Sequence, residues 1–127
     1  MTGSTESAAA VVVAGQLEIR VLLRGLLRLH HFRVLGEAES EEKGLDLVRL
    51  HHPKLLVVDS DITEGSIPSL LASARRSSPD LRLVLVRPEN GPGVPVASEE
   101  ADAVLRRPFR VHEFAVAVGA IPPGPAR

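Results

Sequence analysis

The chain has 127 residues, enough for one domain with its own core, and its 15 Lys and Arg against 16 Asp and Glu leave a formal charge of −1. It has no Cys, which removes disulfides, thiolate metal centres and thiol nucleophiles, and no Trp or Tyr to stack on bases. No apolar run reaches the ~20 residues of a membrane helix, and Met1 to Ser7 holds no positive residue for a secretion signal.

Residues 1–8 are small and polar and are expected to fray, and residues 122–127 (PPGPAR) cannot continue a helix. Between them, 9–121 reads as one domain of alternating strands and helices. Ala9 to Ala14 (AAVVVA) is a wholly apolar run, as for a strand covered on both faces. Leu17 to His30 switches to helical spacing, with Leu22, Leu23, Leu26, Leu27 and Leu29 on one side and Arg20, Arg24 and Arg28 on another. Arg33 to Glu37 predicts a second strand. Ser40 is placed to cap a helix from Glu41 to about His51, with acids in its first turn, and Pro53 stops it.

Lys54 to Asp59 (KLLVVD) is the clearest buried strand, and it ends on an acid. Ser66 caps a helix from Ile67 to about Ser77, with Pro68 in the first turn. Arg82 to Val86 and Ala103 to Leu105 predict the last two strands, and Val111 to about Ile121 a final apolar helix. The stretch Arg87 to Glu100 (RPENGPGVPVASEE) is rich in Pro and Gly, so only a short turn of helix is expected, around Val96 to Glu100. Strands alternating with helices predict a parallel sheet with helices on both faces.

Five strings in this order, VVVAGQLEIRVLLRGLL, FRVLGEAES, HHPKLLVVDSDI, SPDLRLVLV and ADAVLRRPF, resemble the receiver domain of bacterial response regulators. The resemblance spans nearly the whole of 9–121. It implies a flavodoxin-like, doubly wound sheet of five parallel strands in the order 2-1-3-4-5, with a degenerate fourth helix and a pocket at the carboxyl ends of the strands. It puts Asp59 at the family's phosphoacceptor position. It also implies a cis bond between Arg107 and Pro108.

Several positions depart from that family. Its acidic pair after the first strand, which holds Mg²⁺, is here Ala14 and Gly15, which leaves Asp59 and Asp61 as the only carboxylates for a cation that requires several hard oxygens. The hydroxyl residue ending strand four is replaced by Arg87, the lysine before Pro-Phe by Arg107, and the aromatic of strand five by Val104. The loop after Asp59 is about two residues short, and Thr63 stands where a proline is usual. The plain reading of Asp59 is a buried strand end satisfied by loop amides or by an arginine. Arg107, with or without Arg87, is the expected ion partner.

The remaining features are ordinary by default. His30-His31 and His51-His52 each end a helix, where histidine suits the helix dipole, and the two helices are expected on opposite faces. The arginine stripe is expected to solvate a helix face. There is no phosphate-loop string, and PENGPG lacks a following helix start.

The expected function is a phosphorylation-independent protein-interaction module in bacterial signal transduction, not an enzyme. It is read as cytoplasmic, with a protein partner or a second copy and with neither nucleic acid nor membrane. Pro88, Asn90, Val94, Val96, Val111 and Phe114 mark the expected interaction surface. No cofactor is expected. Mg²⁺ enters only with the alternative, a phosphoacceptor using Asp59, and a sensor of small anions is a second alternative.

Overall fold

The three central strands are apolar on both sides because each has a helical layer above and below it. The structure, a computed structural model, describes residues 8–88 and 101–120. In chain order these form β1 (Ala9–Val13), α1 (Leu17–Leu29), β2 (Arg33–Ala38), α2 (Glu41–His51), β3 (Leu55–Asp59), α3 (Ile67–Ser77), β4 (Arg82–Pro88), β5 (Ala103–Arg107) and α4 (Val111–Ala117). Every pairing is parallel and the strand order is β2-β1-β3-β4-β5, the doubly wound order that the sequence implied. The expected turn at Val96–Glu100, the degenerate fourth helix, both terminal segments, and Asn90, Val94 and Val96 lie outside the described residues.

Strand alternation builds two cores, one on each face of the sheet. Val11, Val13, Leu56, Val58, Leu83 and Leu85 pack under α2 and α3, together with Leu45, Val48, Leu70 and Leu71. Ala10, Val12, Leu55, Val57, Val84 and Val86 pack under α1 and α4, together with Leu23, Leu27 and Phe114. Helices α1 and α2 therefore lie on opposite faces, and so do the two histidine pairs.

Of the five leucines expected on one side of α1, only Leu23 and Leu27 are fully buried, while Leu22 is 45% and Leu29 60% exposed. At about 100° per residue, five leucines cover a wider arc than the strip that meets the sheet. Ser40 and Ser66 cap α2 and α3 as expected, each accepting a backbone N–H three residues on, from Lys43 and Ser69.

Helix α4 ends earlier than the sequence suggested. Gly119 turns left-handed at φ 82°, and the amides of Gly119 and Ala120 close back on the carbonyls of Val116 and Ala115. Phe114, expected on an interaction surface, is fully buried between the rings of His30 and Phe109, at 6.1 and 5.7 Å. An aromatic in the first turns of a helix lying on the sheet faces inward, so Phe114 is core.

One polar tie was not legible beforehand. Asp102, just before β5, accepts the Leu83 amide at 2.7 Å and the Arg75 guanidinium at 2.9 Å, which fastens edge strand β5 to β4 and α3. Burial acts to raise the Asp102 carboxyl, but the Leu83 amide and Arg75 prevail and hold it below its ordinary value. Its contribution to stability is thus present above the ordinary aspartate range and lost as pH falls through the lowered value. Asp102→Ala should cost about 1 kcal/mol in urea unfolding at neutral pH, the value for charge-assisted bonds discounted for a partly exposed pair. In strong acid the variant and the parent should converge.

Candidate functional site

Parallel strands place their carboxyl ends on one edge, and Asp59 ends β3, the middle strand of the five. Asp59 is 0% exposed. Its Oδ2 accepts the Asp61 amide at 3.1 Å, and its Oδ1 accepts Arg107 Nε at 3.2 Å. Arg107 ends β5, so its side chain spans the end of β4 to reach β3. Asp59, Val57 and Leu105 alternate onto the α1/α4 face, and so does Arg107. Arg87 follows Val86 on β4 and alternates to the opposite face, level with Arg106. Of the two arginines singled out in the sequence, Arg107 forms the pair with Asp59.

Burial is the largest influence on Asp59 and raises its carboxyl above the ordinary aspartate value of 3.8. The Asp61 amide and the Arg107 guanidinium oppose this, and the nearby Asp61 carboxylate adds to it. A raised carboxyl favours the fold in acid, and that advantage is lost as pH climbs through the raised value.

At Ala14 and Gly15, just after β1, the backbone is already engaged. The Gly15 amide donates to the Asp61 carbonyl at 2.6 Å. A Cβ on Gly15 would lie 2.7 Å from that same oxygen, so only glycine allows the two loops to approach so closely. Arg20, one turn into α1, donates to the Ala14 carbonyl at 2.8 Å and the Gly15 carbonyl at 3.4 Å, and it also stands 3.8 Å from Glu37. Arg24 pairs with Glu37 as well. Two of the three stripe arginines are therefore structural, and Arg28 remains exposed.

A divalent cation requires several hard oxygens in near-octahedral array. Here both Asp59 oxygens accept N–H donors, the Asp61 and Ala14 carbonyls do the same, and a guanidinium lies over the end of β1. The residues present do not fit Mg²⁺. Among the described residues there is no cluster of three His, Asp or Glu able to hold a metal. The same residues also contain no helix long and apolar enough to cross a membrane.

The pocket rim continues into an apolar groove of 510 Å³, whose walls include Leu22, Leu26, Pro88, Arg107, Phe109 and Val111. The Arg107-Pro108 bond is cis, as the resemblance implied. Val104, on edge strand β5, is 38% exposed. The loop amide expected on Asp59 is that of Asp61, and two features were missed in the sequence: the Arg20 contact to the carbonyls just after β1 and the Gly15–Asp61 closure. Only Arg20 carried a signal, as the first arginine of the stripe and the nearest to the β1 end.

No protein-family model matches the chain, and no curated protein matches it. Solved structures do. The receiver domain of AraT, a response regulator from Geobacillus stearothermophilus, superposes with a TM-score of 0.75 at 20% identity, over 87% of this chain and 89% of that one. A DNA-binding response regulator of the LuxR family from Staphylococcus aureus gives 0.77 at 18% identity, over 87% and 95%. A Burkholderia pseudomallei response regulator with a phosphorylated aspartic acid, a calcium ion and citrate gives 0.76 at 20%, over 88% and 66%. The fold of this chain is that of response-regulator receiver domains.

Three substitutions test the site. Arg107→Ala leaves a buried carboxylate without its cation and should lower stability at neutral pH by about 2–3 kcal/mol, with the deficit shrinking in acid as Asp59 takes a proton. In Asp59→Asn, the loss of stability between acid and neutral pH that Asp59 causes should disappear. Gly15→Ala should cost about 1–3 kcal/mol by forcing the two loops apart. Urea unfolding at several pH values measures all three.

Proposed function

We propose that this chain is a receiver-type module of bacterial two-component signalling that acts through protein contacts without phosphoryl transfer at Asp59. The observation that carries the reading is the state of the Asp59 carboxyl: buried, with one oxygen bonded to Arg107 and the other to the Asp61 amide. A carboxylate nucleophile in phosphoryl transfer requires an accessible oxygen and a divalent cation beside it, whereas both Asp59 oxygens here are bonded to N–H donors and, among the described residues, the only positive group on it is Arg107.

Contacts with protein are supported by the apolar groove beside this pair. Pro88 and Val111, two of the surface residues named from sequence, line it, and Arg107 belongs to both the groove and the ion pair. The pair fixes one wall of the groove in place, so the groove keeps one shape. On this reading the module is cytoplasmic, carries no cofactor and catalyses no turnover. Its partner is a protein or a second copy. Balanced charge and the absence of Trp and Tyr favour protein over nucleic acid. The domain proper is 9–121.

One observation favours a second reading. Asp59 ends the third strand of a receiver fold, and the similar Burkholderia protein carries a phosphorylated aspartic acid with calcium. Under that reading, Arg107 releases Asp59 and turns to the phosphoryl group. A sensor of small anions has only the arginines in its support.

Intact-mass spectrometry after incubation with a small-molecule phosphodonor and Mg²⁺, with Asp59→Ala alongside, decides between the first two. The expected result is no adduct on a chain that circular dichroism shows to be folded. A phosphoryl adduct present in the parent and missing in Asp59→Ala would establish the phosphoacceptor instead.

A further inference from the structure

The outer face of α1 is unusual for a surface helix. Leu17, Val21, Leu22 and Leu29 are 60, 45, 45 and 60% exposed, and none belongs to the core. Among the outward residues of this face, only Glu18 and Arg28 carry charge, of opposite sign and at opposite ends of the helix. Between them lies Gly25, exposed in the helix interior, where a glycine weakens the helix and a Cβ would meet nothing within 4 Å. The fold of the single chain therefore gives Gly25 no reason. A bald position amid exposed aliphatic side chains lets another helix approach closely.

We propose that this face of α1 binds the same face of a second copy of the chain, with the two helices antiparallel about a two-fold axis. Glu18, Val21, Gly25 and Arg28 recur in steps of three and four residues, the spacing of a helix–helix seam. The antiparallel register sets Glu18 against the partner's Arg28 and Val21 against the partner's Gly25, each twice by symmetry. A parallel pairing would face Glu18 with Glu18 and Arg28 with Arg28, so the charge pattern selects the antiparallel one. The seam complements itself, which is the property a two-fold contact requires. One pair of short helices buries less than a standard interface, so the association is weak and rises with concentration.

This inference names a partner for the interaction module and rests on that reading only for its use in signalling. Self-association and phosphorylation are measured separately, and either can fail without the other.

The test is sedimentation equilibrium of the whole chain from about 10 µM to about 1 mM. The expected result is a mass rising toward the dimer. Gly25→Arg should stay helical by circular dichroism and remain monomeric. Glu18→Arg and Arg28→Glu should each weaken association about tenfold by facing like charges. An equimolar mixture of those two variants should recover it, because every cross pair then joins opposite charges. A chain that is monomeric throughout leaves the face to some other occupant and overturns the proposal. So does a dimer indifferent to Gly25→Arg, or a mixture that associates no better than its components.

Discussion

A carboxylate at the end of a fully covered strand is shielded from water and has to be satisfied by protein donors. In this chain the Asp59 carboxylate is met by Arg107 from two strands away and by the Asp61 amide. The rest of the carboxyl edge follows from that. Arg107, the last residue of β5, crosses the end of β4 to reach Asp59, and Pro108 and Phe109 follow it toward α4. The side chain that reaches Asp59 also walls the groove between α1 and α4. Such a pair adds little net stability over an apolar alternative, yet removing one member is costly, so it holds the edge in one arrangement.

The electrostatics of this edge run opposite to those of a cation site. Arg20 leans over the Ala14 and Gly15 carbonyls just after β1, Arg107 reaches Asp59, and the Gly15 amide is turned onto the Asp61 carbonyl. Nitrogen donors occupy the oxygens that a metal would use. A carboxylate side chain at Gly15 would find no room, because its Cβ would lie 2.7 Å from the Asp61 carbonyl oxygen.

Helix α1 serves two sides at once. Its inner strip, through Leu23 and Leu27, fixes the sheet, and Arg20 and Arg24 fasten its flank to Glu37 on β2. The outer strip has no such duty in the single chain. Apolar side chains around a bare glycine are poor solvent-facing choices, and they make sense together as a contact. The groove and the outer strip meet at Leu22, so one helix links the pocket edge to the proposed self-contact.

The sequence by itself determined most of the fold. Unbroken apolar runs such as KLLVVD and AAVVVA can only be strands covered twice, and Ser40, Ser66 and Pro53 marked helix limits because caps and breakers act over a few residues. Contacts between distant segments were not legible. Which arginine meets Asp59, that Arg20 turns onto β1, and that Asp102 ties Leu83 to Arg75 depend on strand register and alternation, which relate residues far apart in the chain. The same holds for the leucines of α1 and for Phe114. Periodicity ranks the faces of a helix, but only the sheet beneath it decides how wide a strip is buried and which side chains remain for a partner.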